Sequence, residues 1–446
     1  MSASIEELLR DDKIEMVLAR FEKDPSVIKE ITEHLNSQIR SIRFNAALAL
    51  GEIGAESKDA VSDLVTCLED QDWSICREAA RSLGKIGELA INAIPDLTKL
   101  LSDDEVTVRK AAAVSLGQIG VATDDAIAAL TAALTDHSAE IRTEAANSLG
   151  KLGPGAHTAI PQLVNCLRDM DWTVRTSSAQ AIREIGKGSK EAIPTLVSTL
   201  EDPDWRVRYR SIETLSQIGE EAIPALLQTL EHSDPVARQG AVDALGEMKS
   251  SSPEVIASIA SLLMDKSEGV RGKSIDALRS IGKSSIPMLI EYSAQVNKKM
   301  EVLIVSAIGG MGSDGKDAIP FLIGSLTTGS DKVRAEAARS LGKIGVVNDD
   351  VMSALSNALM DKKVIVRREA ALSFGKLGSE ASRAVPNLLE ALRDKEPDVR
   401  WRATEALGKL GEGRDEVIVS LEELLHDQYD YVAEAAQEAL DAISEK

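Results

Sequence analysis

Apolar and small residues recur along the chain at spacings that predict helices. In the stretch from Val333 to Gly345 they fall at Val333, Ala337, Leu341 and Ile344. Steps of four, four and three place these residues on one face of a helix, whereas a strand would need steps of two. Most copies of this stretch end in glycine, which is the expected residue for a left-handed C-terminal helix cap.

The same stretch recurs from one end of the chain to the other. With the position of Arg334 as the anchor, its equivalents fall at residues 43, 76, 109, 142, 175, 208, 238, 271, 301, 334, 367, 400 and 433. Ten of the twelve steps span 33 residues and the other two span 30. Position +3, three residues after the anchor, is Ala or Ser in every copy except Ile304, so two backbones can approach closely there. A fixed period of this length is the signature of stacked repeats.

A second helix is predicted before each of these stretches. Seven copies carry proline fourteen residues before the anchor, where an apolar run begins; they are Pro95, Pro161, Pro194, Pro224, Pro287, Pro320 and Pro386. Proline is tolerated in the first turn of a helix, because its missing N–H would have had no partner there. Each repeat is therefore predicted to be a helix A, a turn and a helix B. One such hairpin cannot bury its own apolar face, whereas a stack of thirteen can.

These repeats resemble the HEAT repeats, and in particular the short kind named after phycobilisome lyases. The resemblance lies in helix A openings such as Ala192-Ile-Pro-Thr-Leu196 and in the V-R-x-x-A-A-x-x-L-G-x-I-G block of helix B. It covers nearly the whole chain. It implies an all-α, right-handed α–α superhelix, or solenoid, of about thirteen HEAT-like helical hairpins. It does not imply one function, because the family includes scaffolds, lyase subunits and enzymes.

The regular period predicts a single solenoid over residues 1–446. Residues 1–24 are interpreted as an N-terminal capping half-repeat, 25–412 as repeats 1 to 12, and 413–446 as a C-terminal capping repeat. A hinge is predicted at 297–316, where the repeat is shortened and the anchor is Glu301. Its glycines formally match G-x-G-x-x-G, but the dinucleotide-binding motif requires a preceding strand, and here the glycines close a helix B.

Aspartate recurs six residues before the anchor. Seven of these aspartates share a repeat with an anchor arginine; the pairs are Asp103 and Arg109, Asp136 and Arg142, Asp169 and Arg175, Asp202 and Arg208, Asp265 and Arg271, Asp361 and Arg367, and Asp394 and Arg400. In HEAT-like proteins this pair of positions forms a ladder that ties each turn to the next, and the matching positions imply a structural ladder here.

Charge argues against nucleic acid as the partner. The formal net charge is −21, whereas non-specific nucleic-acid binding depends on Lys and Arg neutralising phosphates. At the helix B positions expected to face solvent (+1, +2, +5, +6 and +9) there are thirteen acidic and thirteen basic side chains. The acidic excess is therefore expected on the A helices and turns. If the B helices line the concave side, as in the family, that side is balanced in charge.

No catalytic, cofactor-binding or metal-binding residues are predicted. Deoxyhypusine hydroxylases, which are also built from HEAT-like repeats, take their iron ligands from His-Glu dipeptides, and none of the five histidines here is followed by Glu. A phycobilin lyase remains an alternative, although the resemblance lies in the repeat core that all members share. Three cysteines are too few for a disulfide framework. Cys76 replaces an anchor arginine and is interpreted as a packing residue.

The aromatic residues give the positive indication of a binding site. Trp73, Trp172 and Trp205 each lie three residues before an anchor, and Trp401 lies one after. Trp172 and Trp205 are expected side by side along one rim, with Arg206, Tyr209 and Arg210 nearby. Trp, Tyr and Arg are the residues that most often anchor interfaces. Two interpretations stay open: a partner-binding ledge, or packing of each Trp over the turn of the neighbouring repeat.

A second candidate surface is basic. It comprises Arg77, Arg81 and Lys85 on one B helix and Arg339 and Lys343 on another, with Arg402 beside Trp401 also expected to contact a partner. An acidic or extended peptide would suit this geometry, and a solvated, charge-mixed surface explains it equally well.

We therefore expect a non-enzymatic, cytoplasmic scaffold or adaptor that binds a protein or extended peptide through the concave surface. The sequence shows no membrane span and no signal peptide. The alternative is a lyase-like or hydroxylase-like enzyme.

Overall fold

The periodicity of the sequence appears as helices in the computed structural model, which describes residues 3–186, 188–410 and 414–444. Every regular element in those ranges is helical, so the predicted all-α class is confirmed. The chain divides into two compact units, unit 1 (residues 1–229) and unit 2 (residues 230–446). The predicted boundary between residues 412 and 413 lies outside the described residues.

Unit 1 contains the first fifteen helices. They are α1 (Ile5–Arg10), α2 (Ile14–Phe21), α3 (Val27–Glu33), α4 (Arg40–Ile53), α5 (Val61–Thr66), α6 (Trp73–Ile86), α7 (Ile94–Leu100), α8 (Val106–Ile119), α9 (Asp124–Ala133), α10 (Ala139–Lys151), α11 (Ile160–Cys166), α12 (Trp172–Ile185), α13 (Ile193–Ser198), α14 (Trp205–Ile218) and α15 (Ile223–Thr229).

Unit 2 continues the same alternation of helices. Its helices are α16 (Pro235–Met248), α17 (Pro253–Ser261), α18 (Glu268–Ile281), α19 (Ile286–Ser293), α20 (Lys298–Gly310), α21 (Ile319–Thr328), α22 (Asp331–Ile344), α23 (Asp349–Ala358), α24 (Val364–Leu377), α25 (Val385–Ala391), α26 (Pro397–Leu410), α27 (Asp415–Leu424) and α28 (Asp430–Ser444).

Short 3₁₀ segments join many of these helices or end them. They are His34–Asn36, Gly54–Ala60, Cys67–Glu69, Gly87–Ala93, Gly153–Ala159, Ser189–Ala192, Thr199–Glu201, Gly219–Ala222, Leu262–Met264, Gly282–Ser285, Gly312–Ala318 and Gly378–Ala384.

The even-numbered helices from α4 onward are the predicted B helices, and the odd-numbered helices from α3 onward are the A helices. Within each unit, every B helix packs against the next B helix, for example α6 against α8 in unit 1 and α22 against α24 in unit 2. The A helices form a second layer on the same hairpins, with contacts such as α7 against α9 and α21 against α23. Each unit is thus an α-solenoid of helical hairpins, as predicted.

The predicted helix boundaries rest on proline and glycine, and the structure shows both. The recurring proline is the second residue of its A helix, for example Pro95 in α7 and Pro161 in α11. The recurring glycine follows the B helix with a positive φ. Gly345 has the predicted left-handed conformation, with φ 76° and ψ 14°. Gly87 has a similar φ of 75° but ψ of −145°, so the chain leaves that helix in a more extended direction.

Small residues form a seam along the layer of B helices. At position +8, Gly117 faces Ser148 of the next repeat so closely that a Cβ added to the glycine would lie 2.5 Å from the Ser148 Oγ. The Ser148 hydroxyl donates a hydrogen bond of 2.8 Å to the Ala113 carbonyl oxygen of the preceding B helix. The seam repeats in both units, with equivalent bonds from Ser82, Ser115, Thr214, Ser340 and Ser373.

The sequence prediction for position +6 was wrong. Residues there, such as Ser115 and Ser340, were expected to face solvent but are fully buried. They lie in the seam because the glycine of the preceding repeat leaves room for them. Burial at position +6 does not alter the predicted charge balance, since no residue there is charged. Three of the carboxylates counted at position +2, those of Glu78, Glu336 and Glu369, are however buried.

The Asp–Arg ladder joins neighbouring repeats. Arg109 Nε donates to Asp136 Oδ2 at 2.8 Å and its Nη2 donates to Asp136 Oδ1 at 3.2 Å, so each arginine clamps the aspartate of the following repeat. Both side chains are largely buried, and such bidentate pairs are among the stronger hydrogen-bonded contacts. The pairs among the described residues are Arg43–Asp70, Arg109–Asp136, Arg142–Asp169, Arg175–Asp202, Arg238–Asp265, Arg334–Asp361, Arg367–Asp394 and Arg400–Asp427.

The aspartate and arginine of one repeat contact each other differently. Arg109 Nη1 donates to the backbone carbonyl of Asp103, not to its carboxylate. The aspartate Oδ1 also accepts the backbone N–H two residues on, as Asp136 does from Ser138, which holds the turn before each B helix. Burial acts to raise the pKa of the Asp136 carboxyl, but the hydrogen bonds from Arg109 and the Ser138 N–H outweigh it and lower that pKa.

The ladder is interrupted at some repeats where the sequence pattern predicted an Asp–Arg pair. Asp103 has no arginine in the preceding repeat, because Cys76 occupies that anchor. Arg271 donates to the backbone carbonyls of Asp265 and Lys266, and its buried Nε has no hydrogen-bond partner among the described residues. Arg208 also donates to backbone carbonyls of its own repeat. The gap at Arg271 directly precedes the predicted hinge at 297–316, which stays a prediction.

Replacing Arg367 by Met should destabilise unit 2 more than the same change at Arg271. Both variants lose hydrogen bonds to backbone carbonyls, but only Arg367→Met leaves a largely buried carboxylate, that of Asp394, without its partner. Leaving a buried charge unpaired is costly, so we expect Arg367→Met to lower the free energy of unfolding by about 2 kcal/mol more than Arg271→Met does. Urea denaturation followed by circular dichroism measures it. Equal losses in the two variants would contradict the role given to the ladder.

Filling the gap at Cys76 should stabilise unit 1. An arginine there would face Asp103 as Arg109 faces Asp136, because the spacing of 27 residues is the same. We expect Cys76→Arg to raise the free energy of unfolding by about 1 kcal/mol. Cys76→Met is the matched control, since it adds length without a guanidinium group. If the two variants have the same midpoint in urea, the proposed rung does not form.

Candidate partner-binding surface

Three exposed tryptophans in unit 1 are placed by a capping interaction. Trp73, Trp172 and Trp205 are the first residues of α6, α12 and α14, and each follows an aspartate N-cap. In each case the carboxylate accepts a hydrogen bond from the backbone N–H of the residue after the tryptophan. Aspartate is a preferred N-cap residue. The Asp-Trp dipeptide thus begins the helix and leaves the indole at its N-terminal end.

The exposure of these rings differs. Trp205 is 63% exposed, Trp73 is 44% exposed and Trp172 is 36% exposed. Tyr209, one turn after Trp205 on α14, is 48% exposed. Trp and Tyr are enriched among the residues that anchor interfaces, so these accessible rings are candidates for contact with a partner. Trp205 and Tyr209 together are the most exposed aromatic pair among these candidates.

Trp172 has a packing role as well. The guanidinium of Arg206, which belongs to the next B helix, lies over the Trp172 ring with its Cζ 3.4 Å from the ring centroid. The same guanidinium donates to both carboxylate oxygens of Asp204, at 3.0 and 2.7 Å. Hydrogen bonds from Arg206 lower the pKa of the Asp204 carboxyl to about 2. Arg206 therefore links two repeats. It directly follows Trp205 at the start of α14 and lies over Trp172 at the start of α12.

The other predicted residues of this rim are arranged in similar cation–aromatic pairs. Arg210 lies over the Tyr209 ring at 5.6 Å and also pairs with Glu213 at 2.7 Å. Arg77 lies over Trp73 at 5.2 Å. Such contacts hold an arginine in place at an exposed ring. We call Trp73, Arg77, Trp172, Trp205, Arg206, Tyr209 and Arg210 the aromatic rim of unit 1.

Unit 2 carries a separate aromatic cluster around Trp401. Its ring meets Tyr431 edge to face at a centroid distance of 5.8 Å, and Arg402 lies over its face at 3.6 Å. Tyr429 lies 6.0 Å from Tyr431. The Tyr431 hydroxyl donates to Asp398 Oδ1 at 3.0 Å. Most of the Trp401 ring is therefore covered by its own neighbours.

The first predicted basic group is largely paired. Lys85 lies 2.7 Å from Glu52 of the preceding repeat, and Arg81 lies 3.7 Å from Glu78, which is buried. These contacts leave little net positive charge around Arg77, Arg81 and Lys85, so this group is a mixed surface.

The second basic group is larger than the sequence analysis recognised. Around Arg339 and Lys343, positions +1, +2, +5 and +9 of α22, α24 and α26 carry six cations and three carboxylates, and two of these carboxylates, Glu336 and Glu369, are buried. The cations are Arg339, Lys343, Arg368, Lys376, Arg402 and Lys409, and the carboxylates are Glu336, Glu369 and Glu405. We call this surface the basic strip. Adding the charges of all repeats together conceals this excess of cations, whereas counting charges repeat by repeat reveals it.

The chemistry of the cysteines argues against thiol reactivity. Cys67, Cys76 and Cys166 are free and buried. Burial raises the pKa of each thiol to about 11, so almost none of it is thiolate near neutral pH. Among residues 3–186, 188–410 and 414–444 there is no group of three or more His, Cys, Asp or Glu side chains that could hold a metal ion. In the same ranges no helix is long and apolar enough to cross a membrane.

Similar architecture occurs in solved structures of karyopherins. The chain matches Kap121p bound to Nup53p with a TM-score of 0.61 and 14% identity, covering 99% of this chain and 56% of that one. It matches Kap121p bound to Pho4p with a TM-score of 0.58 and 14% identity, covering 94% and 54%. A Kap95p structure with RanGDP has a TM-score of 0.58 and 14% identity, covering 95% and 67%. At this identity the likeness concerns the fold.

The chain spans about half the length of the Kap121p chains that it matches. No curated protein matches it in sequence. The family model of HEAT repeats matches eight overlapping segments, at residues 13–84, 28–116, 61–150, 94–183, 160–231, 223–299, 286–373 and 352–441. These segments cover almost the entire sequence, and the model describes HEAT repeats in general, not the phycobilisome lyase kind. The chain belongs to the HEAT-repeat family.

Proposed function

We propose that this protein is a non-catalytic scaffold that binds a protein or an extended peptide through the exposed face of its B helices. The observation that carries the proposal is the aromatic rim of unit 1. Its three tryptophans are the first residues of helices capped by aspartate, arginines lie over Trp73, Trp172 and Tyr209, and the rings remain accessible. Preorganised aromatic and arginine side chains provide contact area at a low cost in conformational entropy.

The structural neighbours are consistent with a protein partner. Kap121p is bound to Nup53p, to Pho4p and to the extreme C-terminus of Cdc14p in the structures that this chain resembles. This supports the class of partner and not its identity. The buried thiols and the absence of a metal-ligating cluster among the described residues give no support to the lyase-like or hydroxylase-like alternative.

Affinity purification from the native cell, followed by mass spectrometry, tests the proposal when it is combined with matched variants. We expect Trp205→Ala combined with Tyr209→Ala to lose a partner that the wild type retains, because these side chains are exposed. Met360→Ala is the control, since Met360 is 76% exposed but lies in unit 2, outside the aromatic rim. Circular dichroism should show unchanged helicity in all variants.

Two results would contradict the proposal. Retention of every co-purifying protein by the Trp205 and Tyr209 variant would remove the aromatic rim as the binding site. Stoichiometric iron in the purified protein would instead indicate an enzyme of the hydroxylase type.

A further inference from the structure

The basic strip of unit 2 contains a column of lysines with a fixed spacing. Lys343, Lys376 and Lys409 occupy position +9 of α22, α24 and α26, and all three are exposed. These helices pack side by side, α22 against α24 and α24 against α26. Packed helices lie about 8–10 Å apart, so successive ammonium groups of the column are expected at the same separation.

The carboxylates of the strip are committed mainly to the arginines. Glu369 is almost fully buried and pairs with Arg339 and Arg368, each at 2.9 Å. Glu336 is also buried; it pairs with Arg339 at 3.0 Å and lies 4.0 Å from Lys343. Glu405 pairs with Arg402 at 2.6 Å. These contacts hold the arginines in place beside the lysine column.

Lys376 and Lys409 differ from Lys343, which lies 4.0 Å from Glu336. In the part of the chain that the structure describes, no carboxylate lies within ion-pairing distance of Lys376 or Lys409. Burial, and next the positive charge of Lys343, lower the pKa of Lys376, while the Glu369 carboxylate opposes them. An anion along the column would be attracted to the ammonium groups of Lys376 and Lys409.

Neighbouring B helices confine this charge to three repeats. The corresponding positions of α20 carry no charged residue, being Val302, Leu303, Ser306 and Gly310. Those of α16 and α18 are predominantly acidic, with Asp243, Glu247 and Asp276 against Lys273. The strip therefore fits a short anionic segment. On the other side of the strip, α28 packs against α26 and carries Glu434 and Glu438 at the corresponding positions, and Glu438 lines the same surface depression as Lys409. The strip therefore ends at α26.

We infer that the basic strip binds an acidic protein segment in the polyproline II conformation, with carboxylates three residues apart. Polyproline II has three residues per turn and rises about 3.1 Å per residue, so side chains at i, i+3 and i+6 share one face at intervals of about 9 Å. That interval matches the spacing of the lysine column. In a β-strand, residues i and i+3 face opposite sides, and the match is lost.

Two synthetic peptides of equal composition test the match. One has four Glu-Pro-Ser repeats, and its isomer places the same four glutamates at every second position. Binding of each to the full chain is measured by fluorescence anisotropy at low and at physiological salt. We expect the Glu-Pro-Ser peptide to bind at least about fivefold more tightly than its isomer, with both affinities falling as salt rises. Equal affinities would overturn the inferred spacing.

Variants of the strip locate the binding. Lys376→Gln and Lys409→Gln should each weaken binding of the Glu-Pro-Ser peptide about threefold to fivefold, as expected for an exposed ion pair. Lys362→Gln is the control, because Lys362 is exposed in the turn before α24 and lies outside the strip. An equal effect of Lys362→Gln would indicate attraction to overall charge and contradict the inference. A single-stranded oligothymidylate that binds the strip more tightly than the peptide would also contradict it.

This inference rests on the proposed scaffold function, but the two can fail separately. If neither peptide binds while the Trp205 and Tyr209 variant still loses its partner, the acidic ligand is wrong and the scaffold function stands. If the peptide binds as expected while that variant retains every partner, the basic strip stands and the aromatic rim fails.

Discussion

The close approach of successive B helices is the constraint on which the rest of the structure depends. In most repeats glycine at position +8 leaves no side chain between the helices, and where position +6 of the next repeat is Ser, as at Ser148, its hydroxyl donates to a backbone carbonyl there. This contact sets the spacing between repeats. The ladder arginines then reach the aspartates of the following repeat, and exposed residues at equivalent positions fall in columns.

The two types of contact between repeats have different consequences. The seam is made of small, buried groups and holds the helices at a short distance. The ladder is made of charged groups whose pairing can be interrupted without altering the helices, as at Cys76 and Arg271. Stability in stacked repeats is approximately a sum of repeat and neighbour terms. A missing rung therefore removes the contribution of one interface between neighbouring repeats.

The fold could be predicted from the sequence because helical periodicity, the recurring proline and the closing glycine all act within one hairpin. The partners of the ladder arginines could not be assigned from that pattern. Asp103 and Arg109 share a repeat, but stacking brings Arg109 to Asp136 instead. A search at a spacing of 27 residues would also have found Arg334–Asp361, which the pattern within one repeat misses because Arg334 has no aspartate six residues earlier.

The candidate surfaces were predicted less completely. The aspartate before each tryptophan is a helix cap that sequence reasoning can recognise, but the stacking of Arg206 on Trp172 depends on the packing of neighbouring helices. The cations of the basic strip could have been found by counting charges repeat by repeat. The burial of Glu336 and Glu369 among them could not, because it depends on the packing of neighbouring helices.

Two Gly→Ala substitutions within B helices of unit 2 test the account most directly. Gly342→Ala places a Cβ 2.6 Å from the Ser373 Cβ across the seam, whereas Gly272→Ala places one where no atom lies within 4 Å. We predict that Gly342→Ala lowers the free energy of unfolding by about 1–3 kcal/mol, while Gly272→Ala leaves it unchanged or raises it by up to about 1 kcal/mol through helix propensity. Urea denaturation that showed equal stability for the two variants would contradict the account.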